Sequence, residues 1–315
     1  MAQNQIGLTV VIPVFNNAST VGTLLADLSR HLPNVTDSFE VLAIDDGSTD
    51  ESWQIIQHHC SLNRQIRGLK LSRNFGQHQA IRAGLKNASG KWLVLMDADL
   101  ADNPVDIKKL LDVAISGNFD IAVSTWDHEK YRQRYSSRIF HQMVGRLTKS
   151  ANHIVQQGTF RVFNRSVCDA LLQYSEQRPV YGPLMDQIGF RKTYVMLDRQ
   201  KEHTSKSSYS MRKRLTLAVP LLASYSNVPF TLAVSTGLGI LLCCAAVCAA
   251  LLIRFVNEGG NPFSTTVLFA FTGFVLIGSL FILLGAVLFY LLIIFRETLD
   301  RPGFHIENDT SYDAS

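Results

Sequence analysis

Residues 93–103 read LVLMDADLADN, and this stretch decides how the rest of the chain is interpreted. Its apolar start predicts a buried strand that ends at Asp97. Alternate residues of a strand point to the same side, so Asp97 and Asp99 would share one face, with the small Ala98 leaving room between them. Two carboxylates on one face repel each other unless a cation lies between them, which suits Mg²⁺ or Mn²⁺ carrying a diphosphate. The alternative is a strand that ends in an ordinary acidic turn, and the motif alone does not separate the two.

Strands and helices alternate in the region that surrounds this motif. Short apolar or β-branched runs predict strands at residues 8–12, 39–44, 66–71, 91–96 and 119–124. Apolar residues at helical spacing between them predict the connecting helices. This order is typical of a doubly wound, mostly parallel α/β sheet, in which ligands bind beyond the carboxyl ends of the strands. The second strand runs into IDDGSTD (residues 44–50), so both acidic turns are expected at that edge, which indicates an enzyme.

The pattern changes after residue 126. Residues 127–150 alternate aromatic and basic side chains at helical spacing, which predicts an amphipathic helix at a membrane surface, the alternative being a charged face packed on the domain. A strand over residues 157–165, a helix over 166–174 and a last strand over 195–197 are predicted next. Residues 211–226 begin basic and become apolar, which predicts a juxtamembrane helix.

Two long uncharged apolar segments, residues 230–253 and 267–295, each exceed the length needed to cross a bilayer and predict two transmembrane helices. Basic residues flank the pair, whereas the loop between the two segments carries only Arg254, offset by Glu258. This distribution predicts that both termini are cytoplasmic. Two core helices of a soluble domain are the less favoured alternative. The tail from Pro302 is polar and is predicted to be disordered.

Composition narrows the function classes further. The net charge of +4 argues neither for nor against nucleic acid, and no nucleic-acid partner is predicted. Five cysteines occur without CxxC or Cys/His ligand spacing, so disulfide and zinc frameworks are disfavoured and the soluble part is predicted to be cytosolic. The first residues lack the basic and apolar regions of a cleavable signal peptide. No GxGxxG or Walker pattern supports a dinucleotide or ATP site.

Six stretches together resemble family-2 glycosyltransferases of the polyprenyl-phosphate type, which include dolichyl-phosphate mannose synthases and undecaprenyl-phosphate glucosyl- and aminoarabinose transferases. The stretches are VVIPVFNN (10–17), IDDGSTD (44–50), SRNFGQHQAIRAG (72–84), LMDADL (95–100), RYSSRIF (134–140) and SKSSYSMRKRL (205–215). They follow the family's order, and the combination is specific although no single stretch is.

The resemblance implies a GT-A fold, which is a Rossmann-like, mostly parallel sheet followed by juxtamembrane and transmembrane helices. The expected organisation is a cytosolic catalytic domain over residues 1–210, a juxtamembrane helix over 211–228, two transmembrane helices over 229–296 and a cytosolic tail over 297–315. The protein would be anchored in the inner membrane, and the family suggests a homo-oligomer.

The resemblance also implies roles for residues of the nucleotide site. Pro13 and Val14 would line the base pocket, and Asn16 belongs to the same substrate-binding set. Asp45 and Asp46 would hold the base and the ribose of a sugar nucleotide.

The metal and the acceptor are assigned to later positions. Asp97 would contact the ribose or the metal, and Asp99 would bind Mg²⁺ or Mn²⁺ directly; with Arg134 they form the expected catalytic set. Arg134 and Ser137 would receive the lipid phosphate, with Arg138 beside them. A later segment would close over the diphosphate through Lys206, Ser208 and Tyr209.

The chain departs from the family's pattern in five places. Asn17 stands where Glu is usual, Ala101 removes a possible third metal ligand and Thr159 replaces an acidic residue. Ser205 replaces a Gly, and Trp126 and Asp127 stand where an Arg often follows the fifth strand. These changes leave the nucleotide site mostly intact but reduce the number of polar groups on the metal and sugar side.

The leading hypothesis is an inverting glycosyltransferase that moves a sugar from a nucleoside diphosphate to polyprenyl phosphate at the cytoplasmic leaflet. The phosphate nucleophile is already anionic, so charge compensation matters more than a general base. The rival is a degenerate member that acts as a scaffold or regulator without turnover. A processive polysaccharide synthase is disfavoured because no QxxRW stretch is present and two spans hardly form a channel.

Overall fold

The computed structural model of this protein describes residues 7–125, 159–174, 180–197, 228–258, 262–298 and 302–310. The chain divides into two compact units, one formed by residues 1–207 with 301–315 and the other by residues 208–300. The amphipathic helix expected at 127–150 and the juxtamembrane helix expected at 211–226 lie outside the described residues.

The first unit is built on an eight-stranded sheet. Its strands are β1 (Leu8–Val14), β2 (Phe39–Asp45), β3 (Ile66–Leu71), β4 (Trp92–Leu95), β5 (Ile121–Thr125), β6 (Arg161–Asn164), β7 (Lys192–Met196) and β8 (Ile306–Asp309). Its α-helices are α1 (Val21–His31), α2 (Ser52–Leu62), α3 (Gln77–Asn87), α4 (Asp106–Ser116), α5 (Arg165–Gln173) and α6 (Tyr181–Gln187). All five strands predicted before residue 126 are present.

The strand order is β7-β5-β6-β4-β1-β2-β3-β8, with β1 at the centre of the parallel part. β1 pairs in parallel with β2 and β4, and β2–β3 and β5–β7 are parallel as well. β6 runs antiparallel between β4 and β5, and β8 runs antiparallel to β3. The prediction of a mostly parallel α/β sheet is confirmed.

β1 continues past Pro13, where the prediction ended it. The backbone N–H and C=O groups of successive β1 residues point alternately towards β2 and towards β4. The carbonyl of Val11 points towards β4 and accepts from the Met96 N–H. Pro13 faces the same side, but β4 pairs with β1 only as far as Val11. The N–H that Pro13 lacks therefore falls beyond the last partner on that side, and the strand loses no hydrogen bond there.

Helices cover both faces of the sheet. Val10 and Ile12 of β1 pack into one core with α1, α2 and α4, while Val11 packs into the other with α3, α5 and α6. These three β1 side chains are fully buried. Because both faces are covered, the strands read as continuous apolar runs, as expected for parallel strands.

The prediction of a disordered tail is wrong for residues 302–310. These residues return to the first unit, where β8 extends the sheet beyond β3. The guanidinium of Arg67 pairs with the Asp309 carboxylate, and Gly68 and Thr310 exchange two hydrogen bonds. β8 thereby satisfies backbone groups that β3 would otherwise expose as an edge strand.

The second unit contains two long helices that contact each other, α7 (Val228–Glu258) and α8 (Pro262–Thr298). Within the described residues, one span is long and apolar enough to cross a membrane, Thr272–Leu292, with a mean hydropathy of 2.7. The apolar stretch of α7, Ser235–Val247, is shorter. One of the two predicted transmembrane segments is therefore supported by length and composition, and the other stays a prediction.

Candidate active site

A cavity of about 300 Å³ opens beyond the carboxyl ends of the central strands. The loops that follow β1, β2, β3 and β4 form its wall. Five residues of the expected site line it, namely Pro13, Val14, Asp46, Asp97 and Asp99. Six residues without an expected role also line it, namely Phe15, Asn17, Asn74, Gly76, Gln77 and Ala98. The structure thus brings the two predicted acidic turns to one cavity.

Asn16 contributes to the cavity indirectly, by joining the loops after β1 and β2. Its backbone is in the left-handed region (φ 53°), which Asn tolerates better than most residues. Its N–H donates to the Ser48 hydroxyl at 3.0 Å, and its side-chain oxygen accepts from the Thr49 N–H at 2.9 Å. The Asn16 side chain thus connects the two loops. Its expected contact with substrate stays a prediction.

Asp50 makes a second connection between the same loops. One carboxylate oxygen accepts from the Ala18 N–H at 3.0 Å, and the other accepts from the N–H and hydroxyl of Ser52. Burial raises the pKa of Asp50, but the hydrogen bonds from Ser52 and Ala18 outweigh it, so the pKa is lowered overall. Ionised Asp50 therefore stabilises the folded arrangement of the two loops.

Asp45 and Asp46 end β2 but face different surroundings. Asp45 is fully buried outside the cavity wall and accepts from the Ser48 N–H at 3.3 Å. Asp46 reaches the cavity and accepts from the backbone N–H groups of Phe75 and Gly76, each at 2.8 Å. Burial raises the pKa of both carboxyls, although their hydrogen bonds lower it in part. Of the two, Asp46 is the residue in position to meet a ligand.

Asp97 and Asp99 reach the same cavity for a different reason than the one predicted. β4 ends at Leu95, so both carboxylates lie in the turn after the strand and not on its alternating face. In that turn Leu100 has a positive φ of 62°, and the Ala101 N–H donates to Oδ1 of Asp99 at 3.0 Å. The turn, and not the pleat of β4, aims the two side chains at the cavity.

Asp97 accepts a hydrogen bond on each of its two oxygens. Gln77 donates its side-chain N–H at 2.8 Å, and Thr159 donates its hydroxyl at 2.6 Å. Thr159 stands where the resemblance implies an acidic residue, and it here binds the first Asp of the motif. Gln77 was not expected in the site; its position at the start of α3 carries no strong sequence signal.

Arg161 is a buried cation near this carboxylate and was not expected in the site. Its side chain is 5 % exposed, and its Nε–H donates to the Thr159 carbonyl at 3.1 Å. Burial lowers the pKa of Arg161 to about 10, while Asp97 and Asp186 raise it. An Arg inside the otherwise apolar strand run FRVF is the signal that could have identified it.

The chemistry of the donor set bears on a divalent cation. The described residues form no group of three or more His, Cys, Asp or Glu side chains that could hold a metal ion. Mg²⁺ is often held by one or two carboxylates together with substrate phosphates and water, and such a site needs no protein cage. Among the described residues, Asp99 accepts one backbone hydrogen bond, and Asp99 with Asp97 beside it fits a cation that arrives with a diphosphate.

The acceptor side of the expected site lies outside the described residues. This applies to Arg134, Ser137, Arg138, Lys206, Ser208 and Tyr209.

The family model described as "Glycosyl transferase family 2" matches residues 9–172. An uncharacterised glycosyltransferase of Synechocystis sp. is 29% identical over 96% of this chain and 95% of its own length. The undecaprenyl-phosphate 4-deoxy-4-formamido-L-arabinose transferase of Pseudomonas savastanoi pv. phaseolicola is 30% identical over 95% of this chain and 90% of its own length.

Solved structures share the fold. Glucosyl-3-phosphoglycerate synthase of Mycobacterium tuberculosis, in complex with phosphoglyceric acid, aligns with a TM-score of 0.53 and 17% identity over 71% of this chain and 81% of that chain. The same enzyme in complex with Mn²⁺, UDP and phosphoglyceric acid gives a TM-score of 0.53, covering 69% of this chain and 78% of that chain. At this identity the likeness establishes a GT-A-like fold.

Proposed function

Because the chain belongs to glycosyl transferase family 2, we propose that it transfers a sugar from a nucleoside diphosphate to polyprenyl phosphate at the cytoplasmic face of a membrane. The observation that carries the proposal is the convergence of Asp46, Asp97 and Asp99 on one cavity at the carboxyl edge of the sheet. This is the edge at which open α/β sheets bind ligands. The arrangement suits a phosphorylated donor accompanied by a cation.

The donor would lie across the loops after β1, β2 and β4. Pro13 and Val14 offer an apolar wall for a base, and Asp46 offers a carboxylate to a base or ribose donor. Asp97 and Asp99 would face the diphosphate. When bound, Mg²⁺ or Mn²⁺ held by Asp99 would supply Lewis-acid stabilisation of the charge on that diphosphate.

The chemistry would be a single in-line displacement. A phosphate oxygen of the lipid forms a bond to the anomeric carbon while the bond from that carbon to the diphosphate oxygen breaks, and the nucleoside diphosphate leaves with the electron pair. The configuration of the sugar is thereby inverted. The phosphate is already anionic at neutral pH, so the protein must mainly hold and orient two mutually repelling groups.

Two observations support the lipid acceptor. Relatives that align along nearly the whole chain are named undecaprenyl-phosphate transferases, and α8 contains a span that is apolar enough for a membrane. Residues before and after the helix pair both build the same sheet. The segment between them must therefore begin and end on one side of any bilayer that it enters, which favours two crossings over one.

A nucleotide screen followed by a transfer assay tests the proposal. Purified protein in detergent is heated with UDP, GDP, CDP or ADP, each with Mn²⁺, and we expect one nucleotide to raise the melting temperature. The corresponding nucleotide sugars are then incubated with undecaprenyl phosphate, and lipid-linked sugar is measured. Transfer that requires both substrates supports the proposal, whereas absence of transfer with every donor contradicts it.

The second candidate is a binding protein without turnover. It is favoured by the occupation of both Asp97 oxygens and by Ala101, whose side chain is buried where the resemblance implies a polar group. The same assay separates the two functions, because a scaffold would show nucleotide-dependent stabilisation and no transfer with any donor.

A further inference from the structure

We propose that the C-terminal segment 302–310 positions the donor-binding loop between β3 and α3 (residues 72–76, the β3–α3 loop) and thereby sets the affinity of the cavity for its nucleotide. The inference rests on the proposed function in one respect only, namely that the ligand of the loop is a nucleotide. The segment begins four residues after the end of α8 at Thr298, so the chain that leaves the helix pair would hold part of the donor site.

The segment is anchored on β3 by a partly buried ion pair. Arg67 Nε lies 2.8 Å from Asp309 Oδ1, and a second guanidinium nitrogen contacts the other carboxylate oxygen. The two side chains are 27% and 11% exposed. A bidentate arginine–carboxylate pair fixes geometry as well as adding energy, so it holds the register of β8. Gly68 and Thr310 add hydrogen bonds at 2.9 and 3.1 Å beside it.

The residues that precede β8 lie against the β3–α3 loop and the start of α3. The Ser72 N–H donates to the His305 carbonyl at 3.0 Å, and the rings of Phe75 and His305 are 6.4 Å apart. The backbone of Gly303 comes so close to α3 that an added Cβ would lie 2.3 Å from the Gln79 side-chain oxygen. The segment therefore contacts both ends of the loop.

The loop in turn holds two carboxylates of the cavity. The N–H groups of Phe75 and Gly76 donate to Asp46 at 2.8 Å each, and Gln77, the next residue, donates to Asp97 at 2.8 Å. Residues 72–74 are exposed, so few apolar contacts fix the loop from its outer side. The contacts of the C-terminal segment supply that constraint, and its loss would widen the range of positions open to Asp46.

The test compares full-length variants. Asp309→Ala removes the ion pair with Arg67. Thr310→Val is a milder second variant that removes only the hydroxyl that accepts from the Gly68 N–H. Glu307→Ala is the matched control because it removes only the exposed partner of Lys70. A charge exchange, Arg67→Asp with Asp309→Arg, tests for rescue. Amide hydrogen exchange of the β3–α3 loop is measured without ligand, and the dissociation constants of UDP and GDP with Mn²⁺ are measured alongside.

We expect faster exchange confined to residues 72–76 and a roughly five- to tenfold weaker nucleotide affinity in Asp309→Ala and Thr310→Val, with kcat changed less than KM. Glu307→Ala should match the original chain, and the charge exchange should restore part of the loss. Unchanged exchange in the loop, or faster exchange spread evenly over the sheet, would overturn the inference. If the original chain binds none of UDP, GDP, CDP and ADP while loop exchange still rises in the variants, the positioning role stands and the proposed function fails.

Discussion

Three carboxylates reach the cavity, and the structure holds each in a different way. Asp46 accepts from two backbone N–H groups, Asp97 from two side chains, and Asp99 from one backbone N–H. Donors that are fixed by the backbone stabilise an anion without reorganising, whereas side-chain donors can be exchanged by substitution. Asp97 is therefore the carboxylate whose hydrogen bonds are most easily changed by substitution of a neighbouring side chain.

Thr159→Val should reduce activity through Asp97. Valine keeps the shape but removes the hydroxyl that donates to Asp97 Oδ2 at 2.6 Å. A hydrogen bond to a charged group is worth about 1.5–3 kcal/mol, so we expect transfer to slow about tenfold or more. Thr159→Ser retains the hydroxyl and should retain most of the rate. Equal rates for the original chain and Thr159→Val in the transfer assay would refute a role for this hydrogen bond.

Asp50→Ala should destabilise the fold in a pH-dependent way. The variant loses one hydrogen bond that joins the loops after β1 and β2 and two local bonds from Ser52, at a cost of about 1–2 kcal/mol at pH 7. Because the folded pKa of Asp50 is lowered, its contribution is present above the unfolded value of 3.8 and is lost as the pH falls through the folded pKa. Denaturant unfolding at neutral and acidic pH measures this. Asp112→Asn, on an exposed helix face, is the control and should change little.

Sequence reasoning identified the acidic residues of the cavity but not the side chains that hold them. Asp97 and Asp99 follow an apolar run, and that pattern is local. Thr159 and Arg161 lie near Asp97 because β6 inserts next to β4, a pairing between distant parts of the chain. Gln77 reaches Asp97 from the start of α3, on another loop of the sheet edge. In the same way, Asp50 accepts a hydrogen bond from the Ala18 N–H of the neighbouring loop, a contact that no local pattern predicts.

At the scale of elements, the parallel strands were predictable because each is buried on two faces and reads as an apolar run. α6 and β8 were not predicted. α6 (Tyr181–Gln187) is only seven residues long, too short for a helical period to emerge. β8 has the mostly polar sequence IEND on an edge strand, with two exposed and two half-buried residues. Its stability comes from the pairing with β3 and the Arg67–Asp309 contact.

Gly84→Ala should destabilise the packing of α3 on the sheet. An added Cβ would lie 2.4 Å from Val11 Cγ1 and 2.8 Å from Ile44 Cδ1, and both neighbours are fully buried. Overpacking of this kind costs about 1–3 kcal/mol, which exceeds the gain of up to about 1 kcal/mol from alanine's helix propensity. Gly182→Ala in α6, where the added Cβ meets only Arg161 at 3.9 Å, is the matched control. A stability of Gly84→Ala equal to or above that of the original chain would contradict the packing argument.

At the scale of the whole molecule, the return of the chain to its first sheet constrains the membrane topology that we propose. Residues 1–207 and 301–315 form one unit, and the helix pair lies between them in sequence. The positive flanks had predicted cytoplasmic termini from charge alone. The pairing of β8 with β3 is an independent argument for termini on one side, and no local pattern in the tail could have revealed it.

Topology mapping tests this argument. Epitope tags at the two termini should both be accessible from the cytoplasmic side, and a cysteine placed between α7 and α8 should be labelled only from the opposite side. Protease protection of inverted and right-side-out vesicles gives the measurement. A C-terminal tag on the side opposite the N-terminal tag would be incompatible with β8 in the sheet and with two crossings.

The most direct test of the proposed function is the transfer of labelled sugar to undecaprenyl phosphate by Asp99→Asn, compared with the original chain and with Asp112→Asn. Removal of the charge that faces the diphosphate should lower the transfer rate about a hundredfold or more, since charge compensation is the main catalytic contribution expected of this site. Asp112→Asn, which removes an equal charge from an exposed helix, should transfer at the original rate. Transfer by Asp99→Asn at the rate of the control would contradict the assignment of the cavity as the catalytic site.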